Sequence, residues 1–136
     1  MRVKEIMHHV VKIPFWSSVS EAARIMDERA IGSVLIEENG RVIGIMTERD
    51  IMRKIVAKGK NPDKVKVKEI MNDPVITIDA NEDILEASKI MDEKKIRRLI
   101  VVENGQIVGK ITANSISRNL KYMMVREPQV YTRVEY

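Results

Sequence analysis

The sequence predicts an α+β fold of two β-α-β-β-α repeats packed about a pseudo-twofold axis. Three observations predict it. The opening Val3-Lys4-Glu5-Ile6-Met7 returns unchanged as Val67-Lys68-Glu69-Ile70-Met71. Residues between Glu21 and Ile55 recur 65 positions further on, among them Glu21, Ala22, Ile25, Met26, Glu38, Asn39, Gly40, Gly44, Thr47 and Ile51. Each copy also carries a helical apolar stripe and then two apolar runs joined through Asn-Gly, the pattern of a helix followed by a β-hairpin. A solenoid would need about three units. One copy has three short strands with a single apolar face, which must be buried against something, and the duplicate is the natural partner.

The elements follow in order. Val3 to Met7 is an amphipathic turn, and Val10 to Ile13 an extended apolar piece broken by Pro14 and Ser17-Ser18. Ser18 with Glu21 is a capping-box pattern, so a helix should start there and run to about Arg29. Its stripe is Val19, Ala22, Ala23, Met26 and Ala30. Val34 to Ile36 is a buried-type strand, Asn39-Gly40 the hairpin turn, Val42 to Met46 the return strand and Thr47 to Ala57 the closing helix. The second copy predicts a strand at Val75 to Ile78, a helix over Asp83 to Lys94, strands at Leu99 to Val102 and Ile107 to Ile111, and a helix from Thr112 to about Met124. The organisation is then repeat 1 at 1–57, a polar linker at 58–66, repeat 2 at 67–122 and a β-prone tail at 123–136, which holds Tyr131 and Tyr136.

Composition narrows the function. Of 136 residues, 44% are hydrophobic and 32% charged, enough to bury a core and stay folded. Only 4% are aromatic, so the core must be aliphatic, and the nine Met read as packing. There is no Cys and the net charge is +4, which suits an anionic ligand as readily as a lysine-rich surface. His8 and His9, the only histidines, have no matching carboxylates, so no metal site is expected. No apolar run reaches a membrane span, and the first residues lack a signal-peptide core, so a cytoplasmic protein is expected. Phe15 and Trp16 after Pro14 read as a local hydrophobic plug or a dimer contact. No nucleophile–base pair, phosphate loop or paired catalytic carboxylate is visible, so an enzyme is not expected. Cations are interspersed with acids rather than striped, which disfavours nucleic acid.

A unit with Ile-Met at its start, Glu-Ala and Met on its first helix, Glu-Asn-Gly at its hairpin and Gly44-x-x-Thr47-x-x-Asp50 at its end resembles the CBS domain. Two in tandem resemble a CBS pair, or Bateman module, over about residues 1 to 122. The resemblance implies a regulatory module that senses an adenosyl ligand (AMP, ADP or ATP foremost, S-adenosylmethionine as the alternative), with no cofactor required. It implies a disk-like homodimer and a separate regulated partner. The competing readings are a ligand-free dimerisation module and a nucleic-acid binder.

Thr47 and Asp50 make a capping box by themselves. The same geometry allows the carboxylate to accept two ribose hydroxyls, and the helix start to meet phosphate. In the family the closing Asp of one repeat works with the first strand and pre-strand loop of the other. Carried over, one site comprises Thr47, Arg49, Asp50, Val75, Ile76, Ile96, Arg97 and Arg98, the arginines being phosphate forks. The second comprises Val11, Ile31, Gly32, Ser33, Lys110, Thr112 and Ser115. It lacks both the carboxylate and the arginine pair, so it is expected to be degenerate. Arg49 and Lys110 are secondary phosphate candidates.

Overall fold

A computed structural model of the protein describes the backbone of residues 1–126 and the side chains of residues 1–121. It divides into two compact units whose limits are not those of the sequence repeats. The first unit is Val10–Val75; the second joins Met1–His9 to the chain from Ile76 onward.

In the first unit, Lys12–Pro14 (β1), Ser33–Glu38 (β2) and Arg41–Thr47 (β3) form a sheet in that order, with β1 parallel to β2 and β3 antiparallel to it. Pro14 sits within β1 instead of breaking it. It has no N–H to donate, and the outer strand is where that is tolerated. The β2–β3 turn follows from its residues: Asn39 and Gly40 both take positive φ, 52° and 77°, as a tight hairpin between twisted strands requires.

The helix Val19–Arg29 (α1) starts on Ser18, whose hydroxyl accepts the Glu21 N–H at 3.1 Å. It turns Val19, Ala22 and Met26 into the core. Ala30, expected on that stripe, is exposed and left-handed at φ 53°, because it ends the helix instead of extending it. The closing helix also departs from expectation. Glu48–Ile51 (α2) is only one turn, and the chain continues as a wider π-helical turn, Met52–Val56. Such turns insert one residue into the helical register; here Ile55 is still buried. The short helix Val67–Ile70 (α3) completes this unit, with Val67 and Ile70 in a core of Ile13, Val19, Ala22, Met26, Val34, Ile36, Met46 and Ile55. Phe15 packs on this core under the Lys68 ammonium, whereas Trp16 is exposed.

The second unit repeats the plan with Thr77–Asp79 (β4), Ile84–Lys94 (α4), Arg98–Glu103 (β5), Gln106–Thr112 (β6) and Ala113–Arg126 (α5). Its counterpart of α3 is the chain's own beginning. Val3, fully buried, donates its N–H to the Glu82 carbonyl at 2.8 Å and joins Ile78, Ile84, Ala87, Leu99 and Ile111. Among the described residues α5 runs through Val125 and Arg126, past the expected tail boundary. The β-prone segment Gln129 to Tyr136 lies outside the described residues. Among the described residues, no helix is long and apolar enough to cross a membrane.

Candidate functional site

The end of β3 delivers Thr47 and Asp50 to one corner of the first unit. Thr47 is the N-cap of α2 and its hydroxyl accepts the Asp50 N–H at 3.3 Å. Asp50, only 8% exposed, answers with Oδ2, which accepts the Thr47 N–H at 2.8 Å and the Thr47 hydroxyl at 3.1 Å. The capping-box reading is therefore realised in full.

The corner has two further members that sequence reasoning missed. Asn72 Nδ2 donates to the same Oδ2 at 2.8 Å. The Lys54 ammonium lies 3.3 Å from Oδ1 and donates to the Ile70 carbonyl at 2.8 Å and to Asn72 Oδ1 at 3.2 Å. Asp50, Asn72 and Lys54 thus close a ring of polar contacts. A buried carboxylate needs such donors to hold its charge.

Gly44 explains how Asn72 arrives. Residue 72 pairs with β3 as a one-residue bridge, Ile45 N–H to Asn72 O at 3.0 Å and Asn72 N–H to Ile45 O at 2.8 Å. A Cβ at Gly44 would stand 2.9 Å from that carbonyl oxygen. The glycine of Gly-x-x-Thr-x-x-Asp is therefore a close-approach position, which lets a third segment reach the carboxylate.

The second unit repeats this construction with other chemistry. His8 replaces Asn72: it bridges to Lys110 through N–H···O bonds of 2.8 and 2.9 Å, over Gly109. Its Nε2 lies 2.7 Å from Ser115 Oγ, which also meets Thr112 Oγ1 at 2.8 Å. Lys54 is replaced by Asn119, which donates to the Ser115 carbonyl at 2.8 Å. The recurrence of Val3–Met7 at Val67–Met71 was the available signal, since His8 and Asn72 are the residues that follow each copy.

The remaining expected site residues divide by unit. Arg49 is exposed on α2, and Val75 is half-buried at the end of the first unit. Ile76, Ile96, Arg97 and Arg98 belong to the second unit; Arg97 is exposed and Arg98 half-buried on β5. Of the second set, Val11, Ile31, Gly32 and Ser33 are in the first unit, and Lys110, Thr112 and Ser115 in the second. Ile31 and Gly32 line an open groove of about 510 Å³ with Met26, Asp27, Glu48 and Ile51.

Lys110, a secondary phosphate candidate, is a buried cation. It is 7% exposed on β6, where the first unit has Ile45. Burial, and then the nearby Arg98 guanidinium, lower its pKa below the ordinary lysine value. In the pH interval between that lowered value and the unfolded one, the unfolded chain binds more protons, so stability should rise as pH rises. The test compares urea denaturation of wild type and Lys110→Ile from neutral to alkaline pH. Wild type should gain relative to the variant across that interval; parallel profiles would refute the assignment. Among the described residues, no group of three or more His, Asp or Glu is placed to hold a metal ion.

Comparison with known proteins decides the family. The CBS domain model matches twice, at residues 3–57 and 67–122. The chain belongs to the CBS-domain family. Its CBS pair is 45% identical over 106 residues to an uncharacterized protein of Methanopyrus kandleri, covering 76% of this chain and 54% of that one. It is 34% identical over 104 residues to Hypoxic response protein 1 of Mycobacterium tuberculosis, covering 76% and 73%. The chain thus spans about half the length of the first of these relatives and most of the second. A hexameric CBS-CP12 protein from bloom-forming cyanobacteria superposes with a TM-score of 0.82 at 27% identity, over 94% of this chain and 75% of that one. The protein is a CBS-pair regulatory module, a class that commonly binds nucleotides and is generally non-catalytic.

Proposed function

We propose that this CBS pair is a sensor that binds an adenosyl ligand, AMP, ADP or ATP foremost, and has no catalytic activity of its own. The observation that carries the reading is the Asp50 carboxylate, buried yet held in one orientation by Thr47, Asn72 and Lys54. A carboxylate is acceptor-only and matches a ribose diol. Fixing it in advance lowers the ordering cost of binding.

In this reading Asp50 and Thr47 take the ribose. Arg49, on the same unit, supports phosphate. In the other unit Thr112 and Ser115 form the weaker counterpart, because a serine hydroxyl cannot make the carboxylate contact. The working form is proposed to be a homodimer acting on a separate partner protein; the hexameric cyanobacterial relative supports self-association as a property of such pairs.

Thermal shift and calorimetry with AMP, ADP, ATP, NAD and S-adenosylmethionine test the proposal. A ligand at 100 times its Kd should stabilise the protein by about 2.7 kcal/mol, with about one tight site per chain. No shift with any of the five defeats the sensor reading. Two equally tight sites would defeat the asymmetry between the repeats.

A further inference from the structure

We propose that Lys54 gates the Asp50 site: its ammonium occupies the one carboxylate oxygen a ribose hydroxyl can still use, so ligand and lysine compete for it. This rests on the adenosyl-sensor reading and adds a regulatory element to it.

Acceptor capacity decides which oxygen is open to a ligand. Oδ2 already accepts from the Thr47 N–H, the Thr47 hydroxyl and Asn72 Nδ2. A carboxylate offers about four lone-pair sites over two oxygens, so Oδ2 is filled. A ribose diol needs two acceptor sites; with Oδ2 filled both must come from Oδ1, and Lys54 covers one of them at 3.3 Å. That distance is longer than a good charge-assisted hydrogen bond, about 2.7–2.9 Å. The same ammonium holds the Ile70 carbonyl at 2.8 Å. The Ile70 carbonyl thus gives Lys54 an anchor apart from the carboxylate, so it can release Asp50 without leaving Ile70. The lysine side chain is 40% exposed and has room to move.

The twin unit ties the two residues together. Where Asp50 is replaced by Ser115, Lys54 is replaced by Asn119, which turns to a backbone carbonyl instead. Cation and carboxylate are present together in one unit and absent together in the other. Lys54 also rides on the π-helical turn Met52–Val56, an irregularity α5 lacks in the corresponding stretch.

Calorimetry with AMP and 2′,3′-dideoxy-AMP on wild type, Lys54→Met and Lys54→Gln tests this. The glutamine keeps an N–H for Ile70 without the charge, which guards against a variant that merely folds poorly. Both variants should bind AMP about two- to fivefold tighter than wild type, the scale of a partly exposed ion pair, and the gain should vanish with the dideoxy compound. Unchanged or weaker AMP binding overturns the gate, as does a gain that persists without the ribose hydroxyls. If wild type binds AMP and Asp50→Ala does not, while the Lys54 variants match wild type, only the gate falls. If wild type binds neither compound and no other adenosyl ligand, the sensor reading and the gate fall together.

Discussion

Gly44→Ala is expected to destabilise the protein by about 2–4 kcal/mol, although the same change at an ordinary strand position would be neutral or helpful. The new Cβ would lie 2.9 Å from the Asn72 carbonyl oxygen and also press on the Met71 side chain. Methionine is flexible and can give way. The carbonyl cannot, because it is the acceptor of the 3.0 Å bond from Ile45. Relief requires lifting residues 71 and 72 off β3, and that also withdraws Asn72 from Asp50. Gly109→Ala should behave alike, with its Cβ 2.8 Å from the His8 carbonyl oxygen. Urea denaturation of both variants is the measurement. A midpoint unchanged from wild type would mean that the bridging segments are not held on their strands.

Asp50→Ala should lower stability by about 2–3 kcal/mol as well as abolish ligand binding. Truncation leaves the Asn72 amide and the Thr47 N–H without their acceptor and strips Lys54 of its counter-ion. The cost is that of several charge-assisted bonds lost together, from the half-buried Thr47 N–H and from the solvent-exposed Asn72 amide. Ser115→Ala is the internal comparison. It removes a neutral hydroxyl bonded to His8 and Thr112 and should cost only about 1 kcal/mol. Denaturation of the two variants side by side checks the difference. Equal losses would mean that the charge at Asp50 adds nothing to the corner.

Much of this architecture was legible because its signals are local. Asn39-Gly40 and Asn104-Gly105 announce their turns within two residues, and the Val19, Ala22, Met26 stripe announces α1 within eight. The π-helical turn at Met52–Val56 was not legible, since Ile51 and Ile55 also fit an unbroken α-helix. Ala30 was misread because alanine favours helix interiors and gives no hint of a left-handed cap. At the site, Thr47 and Asp50 could be read from their spacing. Lys54, four residues after Asp50, was an i,i+4 partner that the spacing did offer, whereas Asn72 could not be read, because its role depends on a bridge to β3 between residues far apart in the chain. Besides the recurrence of Val3–Met7 at Val67–Met71, the non-local clue was Gly44, a glycine in a strand, which marks a close backbone approach.

The exchange of short segments between the repeats has a topological consequence. The first repeat is completed by the piece that opens the second, and the second by the piece that opens the chain. The body Val10–Val75 is thus a circular permutation of the repeat, its leading piece moved to the end, whereas the other body keeps the leading piece first but takes it from the other repeat. A fragment cut at the repeat boundary, 1–57, lacks Val67, Ile70 and Asn72, which complete the core and the corner of the first body, whereas 10–75 contains them.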